Sequence, residues 1–309
     1  MASLRIFLLF LVLLPAVGGT ASGAENQVKV IASFSILGDM VKNVGGDRVK
    51  VTTLVGPNGD AHVYEPTPAA AKAVSAATLV VVNGLGFEGW MDRLIQTSGY
   101  KGPVAVASQG IKPREMTTEE AEEHEHGARH EPKIDPHAWQ NLRNGLIYVD
   151  NLARALSAVN PQGAAVYQAN AEAYKAKLSD LDNWVRAEFA SLPKQKQRMI
   201  TSHDALGYFG AGYGITILSP MGFSTESEAS AGDIARLIRQ IRQEKITAVF
   251  IENVTDPRLM EQVAKESGVT LGGELYSDAL SKPDGPAPTY IEMFKNNVTK
   301  IVAAMRKGI

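Results

Sequence analysis

The chain has 309 residues and no cysteine, and its 31 lysines and arginines against 33 aspartates and glutamates give a formal net charge of −2. The lack of cysteine excludes a disulfide framework and a thiolate metal site, and it argues against attachment of a lipid through a cysteine. The chain has no basic stripe, so neither nucleic acid nor an anionic membrane surface is an expected partner. The length favours roughly two domains of about 100–150 residues.

The first 24 residues are predicted to be a cleavable secretory signal. Arg5 supplies the positive charge, Ile6–Leu14 form the apolar core, and Ser22–Ala24 form a small-residue cleavage site, with Ala21 as the alternative position. The apolar run is too short for a helix that spans a bilayer. We therefore expect an exported, soluble protein that stays in the periplasm without a lipid anchor.

The first half of the mature chain alternates β-branched runs with helical patterns. The predicted strands are Val28–Phe34, Val49–Val55, Thr78–Asn83 and Val104–Ala107. Helical patterns follow the first strand, begin again at Thr67, and span Phe87–Thr97. Strands that alternate with helices at this spacing predict βαβ units and a parallel sheet.

An acidic segment, residues 116–132, interrupts this alternation. It is rich in glutamate and carries three of the six histidines of the chain, His124, His126 and His130. Because it has too little apolar surface to offset the entropy of ordering, we predict a mobile, exposed loop. Its histidines either form an auxiliary site that collects metal or are incidental to a solvated acidic tract.

Helical periodicity dominates the middle of the chain. Leu142–Val159 is predicted to be one helix, and a second apolar stripe runs from Pro161 to Leu192. A single helix over that stripe would be about 46 Å long at 1.5 Å per residue and would join two lobes rigidly. The alternative is a pair of helices broken near Asp180.

Strand and helix patterns alternate again after Pro193. The predicted strands are Arg198–Thr201, Ile215–Leu218, Thr247–Ile251 and Val269–Leu271, and the predicted helices are Ala205–Tyr213, Asp233–Glu244, Asp256–Glu266 and Pro288–Lys307. The sequence thus predicts an α/β protein with two β/α lobes, each built on a four-stranded, mainly parallel sheet. The lobes span residues 25–160 and 193–309, and the linking helix spans residues 161–192.

Four side chains are candidates for one metal site in the cleft between the lobes. His62 and His203 each follow a strand, Asp278 follows the last strand, and His137 follows the acidic segment. Ligands of parallel sheets gather beyond the carboxyl ends of the strands. Three imidazoles and one carboxylate suit tetrahedral Zn²⁺. A histidine at a strand end is nevertheless more often a structural residue, so spacing alone leaves both interpretations open.

Carboxylates near these residues in sequence are candidates for orienting the imidazoles. Glu65, Asp135 and Asp204 each lie within three residues of a candidate ligand, and Tyr276, two residues before Asp278, is a further candidate partner. Glu65 and Asp204 have an alternative role as caps or dipole partners at helix starts.

The four candidate segments resemble a known family, the solute-binding proteins of bacterial ABC transporters that take zinc or manganese. The resembling segments are Gly59–Pro66, Asp135–Trp139, Thr201–Asp204 and Tyr276–Asp278, and the likeness extends over essentially the whole mature chain. The Asp-Pro-His-Ala-Trp segment is the most specific of them.

The resemblance implies a metal ion buried between two lobes, with His62, His137, His203 and Asp278 as its ligands. Members that resemble manganese carriers have glutamate at the position of His203, so the histidine here favours zinc. The acidic segment is similar to that of zinc-specific members, in particular the AztC-like zinc proteins, although it is shorter than the longest examples.

The expected function is capture of periplasmic Zn²⁺ and its delivery to an inner-membrane ABC permease with a cytoplasmic ATPase. We expect a monomer without enzymatic activity. A periplasmic zinc metallochaperone is a further expected partner for the loop histidines, and residues 116–132 and 225–232 are expected to gate the site. The alternatives are a manganese carrier of the same family, a metal buffer or adhesin, and a secreted zinc hydrolase with Glu65 as its base. No His-Glu-X-X-His motif supports the hydrolase.

Overall fold

The structure, a computed structural model, describes residues 27–115, 134–226 and 229–307. The predicted signal sequence and the acidic segment with its three histidines lie outside these residues. Within them the chain forms two α/β lobes, each on a four-stranded parallel sheet, as the sequence predicted. No helix among the described residues is both long and apolar enough to cross a membrane.

The sheet of the N-terminal lobe has the strand order β2-β1-β3-β4, and every pair is parallel. Its strands are β1 (Val28–Phe34), β2 (Val49–Val55), β3 (Leu79–Val82) and β4 (Val104–Val106). The helices beside it are α1 (Ser35–Gly45), α2 (Pro68–Ser75) and α3 (Met91–Ser98). All residues of β3 are buried, as expected for a strand covered on both faces.

Two helices follow this lobe, α4 (Leu142–Val159) and α5 (Ala164–Ala190). Pro161–Gly163 form a 3-10 turn before α5, which then continues through Asp180 without a break. The prediction of one long helix is therefore confirmed, and its 27 residues span about 40 Å at 1.5 Å per residue. Helix α5 packs against α1 and α4 and also against the C-terminal helix, so it contacts elements of both lobes.

The sheet of the C-terminal lobe has the strand order β10-β9-β7-β8 and is also parallel. Its strands are β7 (Arg198–Ile200), β8 (Thr216–Leu218), β9 (Val249–Glu252) and β10 (Leu271–Leu275). Its helices are α6 (Gly207–Tyr213), α7 (Ala231–Glu244), α8 (Pro257–Ser267) and α9 (Tyr290–Arg306). Carboxyl ends of both sheets supply residues of the candidate site.

Two local predictions were wrong, and one short element was missed. The last strand begins at Leu271 instead of Val269, because its two glycines hide the strand pattern. Helix α3 begins at Met91 instead of Phe87, and the residues before it form a loop. A short antiparallel ribbon, β5 (Arg114–Glu115) with β6 (Ile134–Asp135), flanks the acidic segment and was not predicted, since two residues carry no periodicity.

Candidate metal centre

The four candidate side chains come together where the two lobes meet. His62 lies in the loop after β2, His137 is two residues after β6, and His203 and Asp278 follow β7 and β10. One donor atom from each lies within 4.8 Å of the others. Three of the four side chains thus follow the carboxyl ends of strands in the two parallel sheets, as expected for ligands of such sheets, whereas His137 comes from the antiparallel β5–β6 ribbon.

One carboxylate oxygen lies close to all three imidazoles. Asp278 Oδ2 is 3.1 Å from His203 Nε2, 3.3 Å from His62 Nε2 and 3.7 Å from His137 Nε2. The Nε2 atoms of His62 and His137 are 3.3 Å apart. A tetrahedral ion with bonds of about 2.0–2.1 Å separates its ligand atoms by about 3.3 Å. These distances therefore match the edges of a tetrahedral metal site.

Hydrogen bonds and ion pairs at the other ring nitrogens orient two of the imidazoles. His137 Nδ1 is 2.8 Å from Asp135 Oδ1, which also accepts the backbone N–H of His137 at 2.9 Å. His203 Nδ1 is 2.9 Å from Glu252 Oε2, and Glu252 Oε1 accepts the backbone N–H of His203 at 2.9 Å. With Nδ1 facing a carboxylate, each ring directs Nε2 toward the centre, the arrangement common at metal-binding histidines.

The buried charges of the group shift one another's pKa values. Burial lowers the pKa of His137, but Asp278 and the hydrogen bond to Asp135 outweigh it and raise the value to about 9. Burial likewise opposes the charge of His203, yet Glu252 and Asp278 raise its pKa well above the usual value. Burial raises the pKa of Asp278, but the two histidines lower it well below its usual range. A metal cation that binds here would therefore displace protons from His137 and His203, next to the ionised carboxylate of Asp278.

The carboxylates that face the imidazoles differ in part from those expected. Glu65 is exposed and lines the groove outside the site, and no described hydrogen bond or ion pair joins it to a candidate ligand. Asp204 lies 3.9 Å from the Arg114 guanidinium, and its backbone N–H bonds to a neighbouring loop. Asp135 takes the expected position, whereas Glu252 was missed. The sequence feature that could have identified Glu252 is its position as an acidic residue at the end of an apolar strand.

Aromatic rings close one side of the site. The Phe87 ring centroid lies 4.8 Å from that of His62 and 5.9 Å from that of His137. Trp139 packs against both Phe87 and His137, at 4.8 and 5.3 Å. Its indole N–H also donates to the carbonyl of Ser277 in the other lobe at 3.0 Å. This wall excludes water and strengthens the electrostatic contacts within the site.

A groove of about 1600 Å³ opens beside the site, and both His62 and Phe87 line it. The side chain of His62 is 6% exposed, while those of His137, His203 and Asp278 are 0% exposed. Residues of both lobes, among them Tyr64 and Phe223, line the same groove. His62 is thus the candidate ligand nearest to solvent.

A hydrogen bond between the lobes holds the loop of His62. Asp60 Oδ1 accepts the backbone N–H of His62 at 2.9 Å, and Asp60 Oδ2 accepts the hydroxyl of Thr225 at 2.6 Å. Thr225 begins the segment expected to gate the site, of which residues 227 and 228 lie outside the described part of the chain. Its gating role stays a prediction.

Comparisons with known proteins agree with this architecture. The family described as "Zinc-uptake complex component A periplasmic" matches residues 30–304. The "Manganese-binding lipoprotein MntA" of Halalkalibacterium halodurans is 33% identical over 287 residues, which are 93% of this chain and 91% of that protein. The "Iron ABC transporter substrate-binding lipoprotein MtsA" of Streptococcus pyogenes serotype M1 is 33% identical over 296 residues, 94% and 92% of the two chains.

A solved structure has the same fold. The "periplasmic zinc binding protein TroA from Treponema pallidum" matches with a TM-score of 0.82 and 30% identity, over 90% of this chain and 99% of that chain. The names of TroA and of the two relatives above refer to three different metals, zinc, manganese and iron.

Proposed function

The chain belongs to the ZnuA family of periplasmic metal-binding proteins of ABC transporters, and on that premise we propose that it captures Zn²⁺ and delivers it to an ABC permease. His62, His137, His203 and Asp278 are the proposed ligands. Zn²⁺ is the cargo of the protein, held by three imidazole nitrogens and one carboxylate oxygen. The family consists of solute-binding components of transporters, and four protein ligands would leave no open position for a catalytic water. We therefore favour a carrier over a hydrolase.

The observation that carries this proposal is the separation of the donor atoms. The contacts of Asp278 Oδ2 with the three Nε2 atoms, at 3.1–3.7 Å, fit an ion of the size and geometry of zinc. Manganese prefers more oxygen ligands. A manganese carrier is the second candidate, because a relative that is 33% identical is named for manganese. The nitrogen-rich donor set supports zinc, as does the histidine at position 203.

The arrangement of the chain suggests how the carrier works. We propose lobes over residues 25–160 and 193–309, joined by a linking helix over 161–192. Helix α5 packs on elements of both lobes, so it should limit hinge opening, and metal binding should act mainly on the loops around the site. A periplasmic metallochaperone as donor, a role for the three loop histidines, likeness to the AztC-like proteins and a monomeric state remain predictions.

We propose release into the periplasm after cleavage of the predicted signal. The names of the two relatives above describe lipoproteins, whereas the present sequence contains no cysteine. Fractionation of the native host, with detection of the protein in the soluble periplasmic or the membrane fraction, distinguishes a free carrier from an anchored one.

Metal competition tests the choice of zinc. Most nitrogen and oxygen sites bind zinc more tightly than manganese, so tighter binding of zinc by the wild type does not by itself identify the cargo. The ratio of the zinc and manganese dissociation constants should therefore be compared between the wild type and His203→Glu. We expect the wild type to retain zinc after purification from the periplasm and the variant to have a lower preference for zinc over manganese. Retention of manganese by the wild type, or an unchanged ratio in the variant, would contradict the zinc assignment.

A further inference from the structure

We propose that Glu88 is a positioning residue that holds both histidines of the N-terminal lobe, His62 and His137, in the geometry that the metal requires. This inference rests on the proposed function. Glu88 lies in the loop between β3 and α3, and it is 9% exposed. Its effect on the site passes through two neighbours, Phe87 and Asn83, because its own carboxylate bonds to the loop.

The Glu88 carboxylate is held by three donors. Oε1 accepts the hydroxyl of Ser33 at 2.5 Å and the backbone N–H of Asn83 at 2.6 Å, and Oε2 accepts the backbone N–H of Gly84 at 3.2 Å. A carboxylate is costly to bury unless its oxygens are hydrogen-bonded. These bonds favour the ionised form, although burial raises the pKa of Glu88. The carboxylate thus joins the end of β1 to the end of β3.

The loop that Glu88 closes has a conformation that needs support. Gly84, Leu85 and Gly86 have φ values of 84°, 57° and 80° in succession. A leucine is sterically disfavoured in this left-handed region. A Cβ atom at Gly84 would lie 2.5 Å from a methyl carbon of Val106. The hydrogen bonds from Glu88 to the start of the loop hold it in this conformation.

The first connection to the site is Phe87. Its ring follows the left-handed turn directly and packs edge-on against His62 and His137, with centroid distances of 4.8 and 5.9 Å. A loop that relaxes would move this ring, and both imidazoles would lose the surface that fixes their planes. Glu88 therefore acts on both histidines through one side chain.

The second connection is Asn83, which is fully buried. Its amide Nδ2 donates to the carbonyl of Pro136 at 2.9 Å, directly before His137. Its own carbonyl accepts the hydroxyl of Ser108 at 2.6 Å, and its Oδ1 accepts the hydroxyl of Tyr148. Since the Asn83 backbone N–H is bound by Glu88, the carboxylate and the His137 loop belong to one hydrogen-bond network.

This network predicts that the N-terminal half of the site is formed before the metal arrives. The short distance of 3.3 Å between the Nε2 atoms of His62 and His137 agrees with that expectation. Residues that orient metal ligands typically change affinity by about 10–100-fold when substituted. Glu88 should fall in this range although it touches neither ligand ring through its carboxylate.

The test is Glu88→Gln, which keeps the shape of the side chain but replaces one acceptor oxygen with an N–H₂ group facing a donor. We expect zinc affinity, measured by competition with a chromophoric chelator, to fall about 10–100-fold. The visible absorption spectrum of the Co²⁺-loaded protein should change as well, because it reports ligand geometry. The matched control is Asp182→Asn, a buried acid in α5 that bonds to Arg186 and Tyr213. It should lower the melting temperature but preserve affinity and spectrum.

The outcomes separate this inference from the proposed function. Wild-type affinity and spectrum in Glu88→Gln, with a lowered melting temperature alone, would overturn the positioning role and leave the carrier function intact. Failure of the wild type to bind zinc or Co²⁺ would overturn both the positioning role and the carrier function. If Glu88→Gln does not fold, Phe87→Leu decides, because it keeps the bonds of Glu88 and removes the ring. Unchanged affinity in Phe87→Leu would then contradict the inference.

Discussion

The two halves of the metal site are built differently. The N-terminal half, His62 and His137, rests on an aromatic wall, and His62 faces an open groove. His137 in the first half and His203 in the second each face a buried carboxylate, Asp135 and Glu252, but only the C-terminal half adds a carboxylate of its own to the site, Asp278, and both His203 and Asp278 are fully buried. The comparison indicates a division of roles, in which the first half receives the ion from solvent and the second half supplies the negative charge that retains it.

Removing one histidine from each half is the strongest way to test this difference. His203→Ala should weaken zinc binding by about 1,000-fold or more, about 4 kcal/mol, because the buried position is closed to a replacement water. His62→Ala should cost less, about 100-fold, because water from the groove can take the vacated position. Isothermal titration with a competing chelator measures both dissociation constants.

The same pair of variants should also differ without metal. His203→Ala leaves Glu252 and Asp278 buried with less positive charge between them, which destabilises a folded protein. We expect a lower melting temperature for metal-free His203→Ala, which should still fold, and little change for His62→Ala. Equal losses of affinity and of melting temperature in the two variants would contradict the division of roles.

Glu252 sharpens the comparison at the next level of effect. Glu252→Gln keeps the size of the side chain but removes the charge that faces His203 Nδ1, so zinc affinity should fall about 10–100-fold. Glu244→Gln is the control, since that glutamate is paired with Arg198 near the surface of the same lobe. Similar affinities for the two variants would show that the charge of Glu252 does not act on the metal.

The smallest expected effect is a change of stability with pH. The pKa of His137 is raised from 6.5 to about 9 and that of His203 is raised well above 6.5. A histidine whose pKa is raised in the folded state stabilises the metal-free protein. This stabilisation is complete below about pH 6.5 and is lost as pH rises through about 9. The melting temperature of the metal-free protein should therefore fall by a few degrees over this range.

Zinc affinity should change with the opposite sign, because only neutral imidazole binds the ion. Binding at pH 7 should release protons, which calorimetry in two buffers of different ionisation enthalpy detects. A binding enthalpy that is the same in both buffers would show that the histidines are already neutral in the metal-free protein.

The sequence by itself determined the order of the main strands and helices, and its motifs identified the four candidate ligands. Apolar runs such as Val49–Val55 and the stripe of α5 were readable because their periodicity is local. The candidate ligands could be predicted because His62, His203 and Asp278 lie in the segments after strands and His137 lies in the Asp-Pro-His-Ala-Trp segment. That stripe favoured one long helix, but the alternative of a break near Asp180 was excluded only by the structure.

Only the tertiary structure decided which residues serve the ligands. Glu252 is 49 residues from His203 in the chain, and Glu88 acts on His137 through the carbonyl of Pro136, which lies 53 residues from Asn83. These contacts arise from the pairing of β9 with β7 and from the left-handed loop after β3. A sequence pattern records the local preference of the chain for a strand or a helix. The neighbours that a side chain meets across a sheet or between two lobes are fixed by packing, which no local pattern specifies.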